Sequence, residues 1–142
     1  MAKLHLGVEE IVYEYDPKKS TAKVARILEE RYQLFSEFWD YAQRDVTEAI
    51  TREVALDLES IMAKRPRSGN KRYAGIAPVI EKRFRQFLDR YEAEKIGLPG
   101  TPTKAALSGI RHIGRTKTKG HRRPSFKDTS LIRDSFRAWV SR

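Results

Sequence analysis

One apolar stripe governs the first half of the chain. Phe35, Phe38, Trp39, Ala42, Val46, Ala49, Ile50, Val54, Leu58 and Ile61 recur at intervals of three and four, the spacing that lines one face of an α-helix. It predicts a single amphipathic helix from Ser36 to about Ala63, and the remaining elements have to cover its apolar face. A shorter helix precedes it: Val24, Ile27, Leu28 and Tyr32 keep the same spacing behind a Ser20 or Thr21 cap. A third begins near Ala77 with Pro78 in its first position and buries Ile80, Phe84, Phe87, Leu88 and Tyr91, ending by Gly97.

Between these periodic runs the punctuation is clear. VEEIVYEYDP, from Val8 to Pro17, clusters β-branched and aromatic residues between Gly7 and an Asp-Pro turn signal, and predicts one strand. KRPRSGNKRYAG, from Lys64 to Gly75, is an exposed loop. GLPGTP, Gly97 to Pro102, is a hinge, and Thr101-Pro102 caps a short helix through Thr103 to Ser108 that Gly109 stops. Ile110 to Lys127 shows little periodicity. Thr129 to Val140 again places Leu131, Ile132, Phe136, Trp139 and Val140 on one helical face, with Asp128 as its cap. The expected fold is a helix-rich α+β domain: a helical body with an N-terminal strand over residues 1–98, then a hinge, a basic loop and a C-terminal clip over residues 99–142.

Charge separates these two parts. Residues 1–100 hold 18 Lys/Arg against 17 Asp/Glu, whereas residues 101–142 hold 11 against 2, so nearly all of the net charge of +10 lies in the last third. Lys104, Arg111, Arg115, Lys117, Lys119, Arg122, Arg123 and Lys127 follow one another without an intervening acid. Such a block favours an anionic partner. Because ordering residues bracket it, it reads as an anchored loop whose cations either neutralise phosphates without reading bases or dock on an acidic neighbour.

Chemistry finds little purchase. The chain has no cysteine, so no disulfide framework or thiolate chemistry, which fits a reducing compartment. His5, His112 and His121 lack partners at helical metal-site spacing, and His112 and His121 read as polar groups of the basic loop. Carboxylates such as Glu29, Glu30 and Glu81 alternate with cations, as on solvated helix faces. There is no phosphate-binding glycine loop, Walker-type lysine or nucleophile elbow. Neither an enzyme nor a cofactor is expected. Phe35, Phe38, Trp39 and Tyr41 suggest a base-stacking platform, but three of the four fall on the buried face of the long helix and read as core. Met1 to Gly7 is too short and polar for a secretory signal, and no apolar run is long enough to span a membrane, so a soluble protein is expected.

KGHRRPSFKDTSLIRDSF, Lys119 to Phe136, resembles a motif of tailed-bacteriophage virion morphogenesis proteins, the group that includes tail-completion and head-to-tail joining (neck) proteins. In that group a basic turn is followed by Pro, an apolar residue, Asp-Thr-Gly, Leu-Arg, a spacer and Ser with an apolar residue. The matching positions are Lys119, Gly120, His121, Pro124, Phe126, Asp128, Thr129, Arg133, Ser135 and Phe136. GTPTKAALSGI, Gly100 to Ile110, is similar to the capped helix that precedes the family's basic loop. Two departures stand out: Ser130 occupies the family's glycine position, and Leu131-Ile132 replaces a single Leu. Many relatives continue from the motif into a β-hairpin, whereas this sequence stops at Arg142, which leaves room for a more helical variant of the family's fold.

The resemblance implies a structural virion subunit forming a homo-oligomeric ring around the DNA channel at the neck or tail top, assembled in the host cytoplasm. It also implies contacts with other connector and tail proteins, non-specific contact with packaged double-stranded DNA, and no membrane partner. The basic residues then make assembly or DNA-channel contacts, while Leu131, Phe136, Trp139 and Val140 pack on the body or on a neighbour. The rival reading is a small basic nucleic-acid-binding protein of a cellular ribonucleoprotein or DNA complex.

Overall fold

The computed structural model describes residues 2–67, 73–113, 116–128 and 130–141. Its described elements run β1 (Lys3–Val8), β2 (Val12–Tyr13), β3 (Asp16–Ser20), α1 (Thr21–Tyr32), α2 (Leu34–Met62), α3 (Ile76–Asp89), α4 (Glu92–Lys95), α5 (Lys104–Leu107), β4 (Ile110–Ile113), β5 (Thr116–Lys119), α6 (Leu131–Ser135) and β6 (Phe136–Ser141). The fold is helix-rich α+β. Among the described residues strands pair in twos, each pair antiparallel: β1 with β6, β2 with β3, and β4 with β5.

The long helix is there, 29 residues of it. Ser20 caps α1 by accepting a hydrogen bond from the Lys23 amide, and a left-handed Gln33 then swings the chain into α2. Leu34, Phe38, Ala42 and Val46 of α2 pack on Ile76, Ile80, Phe84, Phe87 and Leu88 of α3. Phe136 enters between the two helices, stacked on Phe84 at 4.0 Å and edge-on to Phe38 at 5.8 Å. Aromatic pairs in these geometries add roughly 0.5–1.5 kcal/mol to the burial of their area.

The outer half of α2 departs from the sequence expectation. Val54, Leu58 and Ile61 continue the stripe but are 52, 58 and 53 % exposed, and neighbouring Met62 is 75 % exposed. The reason is geometric: the covered face of α2 runs on through Glu53, which lies against Gly75 and pairs with Arg67, and through Asp57 and Ser60, which also meet Arg67, so Val54, Leu58 and Ile61 fall beside it.

The N-terminal expectation of one strand over Val8–Pro17 is corrected to three. β1 lies almost wholly before that span, and the turn falls at Glu14-Tyr15, with Tyr13 paired to Asp16 across it. Asp16-Pro17 therefore opens β3, where a two-stranded ribbon tolerates the missing amide of proline. In α3, Pro78 stands third, still among the first-turn positions that lack intrahelical acceptors.

The C-terminal expectation also changes. Thr129 to Val140 is not one helix; Leu131–Ser135 forms a single helical turn and Phe136–Ser141 is a strand. Helical spacing and strand alternation both accommodate Phe136, Trp139 and Val140, and tertiary pairing decides between them. β1 supplies a partner in full register, Lys3 opposite Ser141 through Val8 opposite Phe136. The pairs Leu4–Val140, Leu6–Ala138 and Val8–Phe136 share one face, and Leu4, Leu6, Ala138 and Phe136 belong to the core or pack against it. On the other face Trp139 stacks on His5, ring centroids 5.3 Å apart. Nor is Asp128 a helix cap: Ser130 takes the capping position, without a side-chain hydrogen bond.

Candidate functional site

The segment carrying the motif is held by three carboxylates. Glu94, on α4, accepts hydrogen bonds from the Ser125 amide and hydroxyl at 3.2 and 2.8 Å and from Arg122 at 2.6 Å. Ser125 Oγ in turn accepts from the Thr103 amide at 3.1 Å, which joins the segment to the cap of α5. Asp89, at the end of α3, receives Arg133 through Nε at 2.8 and 3.0 Å and through Nη2 at 2.6 Å, and Lys127 at 2.7 Å. Burial pushes the Asp89 carboxyl up, but the hydrogen bonds from Arg133 and Lys127 outweigh it and hold the group below the usual carboxylate range. Asp89 raises Arg133 correspondingly.

Asp128, the third carboxylate, accepts from the His112 amide at 2.8 Å and pairs with the His112 ring through Nδ1. Arg123 lies beside it, 3.9 Å from its Oδ1 and only 4 % exposed. Burial pushes the Arg123 guanidinium down, and Asp128 partly offsets this. A buried arginine without acceptors costs several kcal/mol; Arg123 finds them in the Ile110 carbonyl at 2.9 Å and the Pro124 carbonyl at 3.2 Å.

These ties hold one strand of a cationic ribbon, Arg123 at Ile110 and Asp128 at His112. Instead of an aperiodic loop over Ile110–Lys127, the chain forms the β4–β5 hairpin, with Arg111 opposite Thr118 and His112 opposite Lys117. Its strands close at Gly109 and Gly120, where the Gly120 amide donates to the Gly109 carbonyl at 3.0 Å. Gly109 has φ +66°, and a Cβ there would lie 2.1 Å from the Gly120 carbonyl oxygen, so only glycine fits. Tyr15 stacks on the His112 ring at 4.1 Å and buttresses the ribbon from the N-terminal hairpin. Next to it, burial, helped by Tyr15 and Asp128, pushes the Tyr13 hydroxyl far above its ordinary value, so it stays protonated at physiological pH.

The predicted basic residues thus divide. Arg122, Arg123 and Lys127 serve internal contacts, whereas Lys104, Arg111, Lys117 and Lys119 are exposed and form no ion pair among the described residues. Arg115 and Thr129 lie outside the described residues. Gly120 and His121 are exposed at the hairpin foot, while Pro124 contributes its carbonyl to Arg123. Ser135 is buried and donates its hydroxyl to the Ile132 carbonyl at 3.2 Å. Leu131 is half-buried, Phe136 lies in the core, and Trp139 is 49 % exposed beside the half-buried Val140.

Sequence reasoning missed Glu94, Asp89 and Tyr15. The two acids sit among cations in a run that looks like a solvated helix face, and only tertiary folding pairs them with residues 28–44 positions away. Among the described residues no three His, Asp or Glu side chains gather in a way suited to a metal, and no helix is long and apolar enough to cross a membrane.

The chain matches no family model, no curated protein and no solved structure. Its functional reading therefore rests on its own residues. What their arrangement offers is a braced frame with two outward surfaces: the cationic hairpin, and the exposed apolar stripe of α2 at Val54, Leu58, Ile61 and Met62.

Proposed function

We propose that this chain is a structural subunit of a tailed-phage virion, a neck or tail-completion protein that assembles as a ring around the DNA channel and acts by assembly rather than catalysis. The observation that carries the reading is Ser130. It stands where the resembling family has glycine after Asp-Thr, and its φ of +65° is the left-handed conformation that glycine adopts at no steric cost. The backbone demand that accounts for the family's glycine is thus present here with a different residue. Arg133, the next motif residue, is used to lock the segment to α3. The motif's last residue, Phe136, opens a strand, β6, which pairs with β1 rather than entering the β-hairpin of many relatives.

The apolar stripe Val54, Leu58, Ile61 and Met62 supports assembly, because exposed contiguous apolar surface on a folded chain marks contact sites; in a ring, a neighbouring copy covers it. The test is sedimentation of the purified chain, with co-purification against portal, adaptor and tail proteins from the same gene neighbourhood. The expected result is a closed oligomer that Leu58→Asp with Ile61→Asp reduces to monomer without loss of helix content. A wild-type chain that stays monomeric at tens of micromolar and associates with none of those proteins would sink the reading.

A further inference from the structure

We infer that the β4–β5 hairpin is a phosphate-contacting finger for double-stranded DNA, bound without regard to sequence through Arg111, Lys117 and Lys119, with Lys104 beside it on α5. The inference takes its ligand from the function proposed above and names which surface meets it.

Residue chemistry separates this surface from the rest of the molecule. β5 reads Thr-Lys-Thr-Lys and every residue in it is exposed. Lysine and threonine suit phosphate oxygens, the one by charge and the other by its hydroxyl. The same composition is poor for a protein contact, whose core is depleted of lysine and built on aromatic and apolar anchors. Such anchors do exist here, at Val54, Leu58, Ile61 and Met62, but on α2. No acid occurs from Thr101 to Lys127 to offset the field, and the acids that do reach this region, Glu94, Asp89 and Asp128, are taken up by Arg122, Arg133, Lys127 and His112.

Geometry adds two points. The hairpin pairs with no other strand among the described residues; β4 is held to the body at Ile110 and His112, and β5 is its outer strand, with every residue exposed. Cross-strand register puts Lys117 and Lys119 on the face shared with His112 and Ile110, and Arg111 on the opposite face. Positive charge therefore flanks the ribbon on both sides. Its foot is closed at Gly109 and Gly120, Arg123 grips it at Ile110, and Asp128 and Tyr15 grip it further out at His112, so its backbone is held in place and little backbone ordering accompanies binding.

The test is titration of a labelled random-sequence 25-base-pair duplex with the full chain, read by anisotropy across a salt series. About three phosphate contacts give a slope of log affinity against log salt near −3. Lys117→Glu with Lys119→Glu should weaken binding at least tenfold and bring the slope to about −1; because both side chains are exposed, its circular dichroism and melting temperature should match wild type. Neutralising the internally paired Arg122 with Arg122→Gln should change the slope by less than one. The proposal is overturned if the wild type leaves the duplex unbound at 50 mM salt, if the double charge reversal leaves affinity and slope unchanged, or if poly-L-glutamate binds the wild type more tightly than DNA, which would assign the finger to an acidic protein. Sedimentation of the same samples reads the ring separately. Oligomers without DNA binding would remove this inference and spare the neck reading; DNA binding by a monomer that joins no virion protein would do the reverse.

Discussion

Replacing Ser130 by glycine should make the protein more stable, an unusual outcome for putting glycine beside a helix. A side chain in the left-handed region costs roughly 1–2 kcal/mol, and Ser130, at φ +65° and ψ +3°, makes no side-chain capping bond in return. Its carbonyl accepts from the Asp134 amide at 2.9 Å, and glycine keeps that bond. Against the relief stands the greater freedom of glycine in the unfolded chain, about 0.5–1 kcal/mol. The balance is a gain of about 0.5–1 kcal/mol, or roughly 2–4 °C in melting temperature for a domain of this size. Urea unfolding should show a higher midpoint at an unchanged slope. Ser130→Ala, which keeps Cβ and loses only the hydroxyl, should stay within about 0.5 kcal/mol of wild type. A loss of 0.5 kcal/mol or more in Ser130→Gly, with Ser130→Ala unchanged, would refute the claim of backbone strain and remove the observation on which the functional reading rests.

Two further outcomes test the packing. Phe136→Ala empties a fully buried site between α2 and α3 and should cost about 3–5 kcal/mol by urea denaturation; a loss below about 1.5 kcal/mol would mean that β6 is not fixed to the core. Asp89→Asn should cost about 1–3 kcal/mol at neutral pH, and its cost should shrink in acid. The native Asp89 carboxyl is held below its ordinary value, so its stabilisation is complete above the unfolded value near 3.9 and is lost as pH falls through the lower folded value. Denaturation midpoints from pH 6 to pH 2 should therefore converge for the two proteins, and a constant difference would count against the Asp89 pairings.

What could be read before folding was whatever local pattern decides. Ser20 caps α1, and the stripe from Phe38 to Val46 faces the core, because a helix sets its own period and its own ends. The extent of burial along α2 was not legible, since which side of its far half is covered depends on where α3 begins and where Arg67 lies. β6 was misread because Leu131, Ile132, Phe136, Trp139 and Val140 satisfy both periods, and its partner β1 lies at the opposite end of the sequence. β5 carried no signal, because Thr-Lys-Thr-Lys alternates between two polar types and burial gives it no favoured face. At the candidate site the sequence shows the cations as one run, but their division was hidden: which of them pair internally is decided by Glu94, Asp89 and Asp128.

The pairing of β1 with β6 also dictates an order of events during folding. Joining Val8 to Phe136 closes a loop of nearly the whole chain, an entropic cost of about 4 kcal/mol, and contacts of such sequence separation form slowly. While the chain is being synthesised, β1 has no strand to pair with, and the α2–α3 core lacks Phe136, until residues 136–141 have left the ribosome. The helices can gather early, but β1 stays unlatched until β6, far along the chain, has been made.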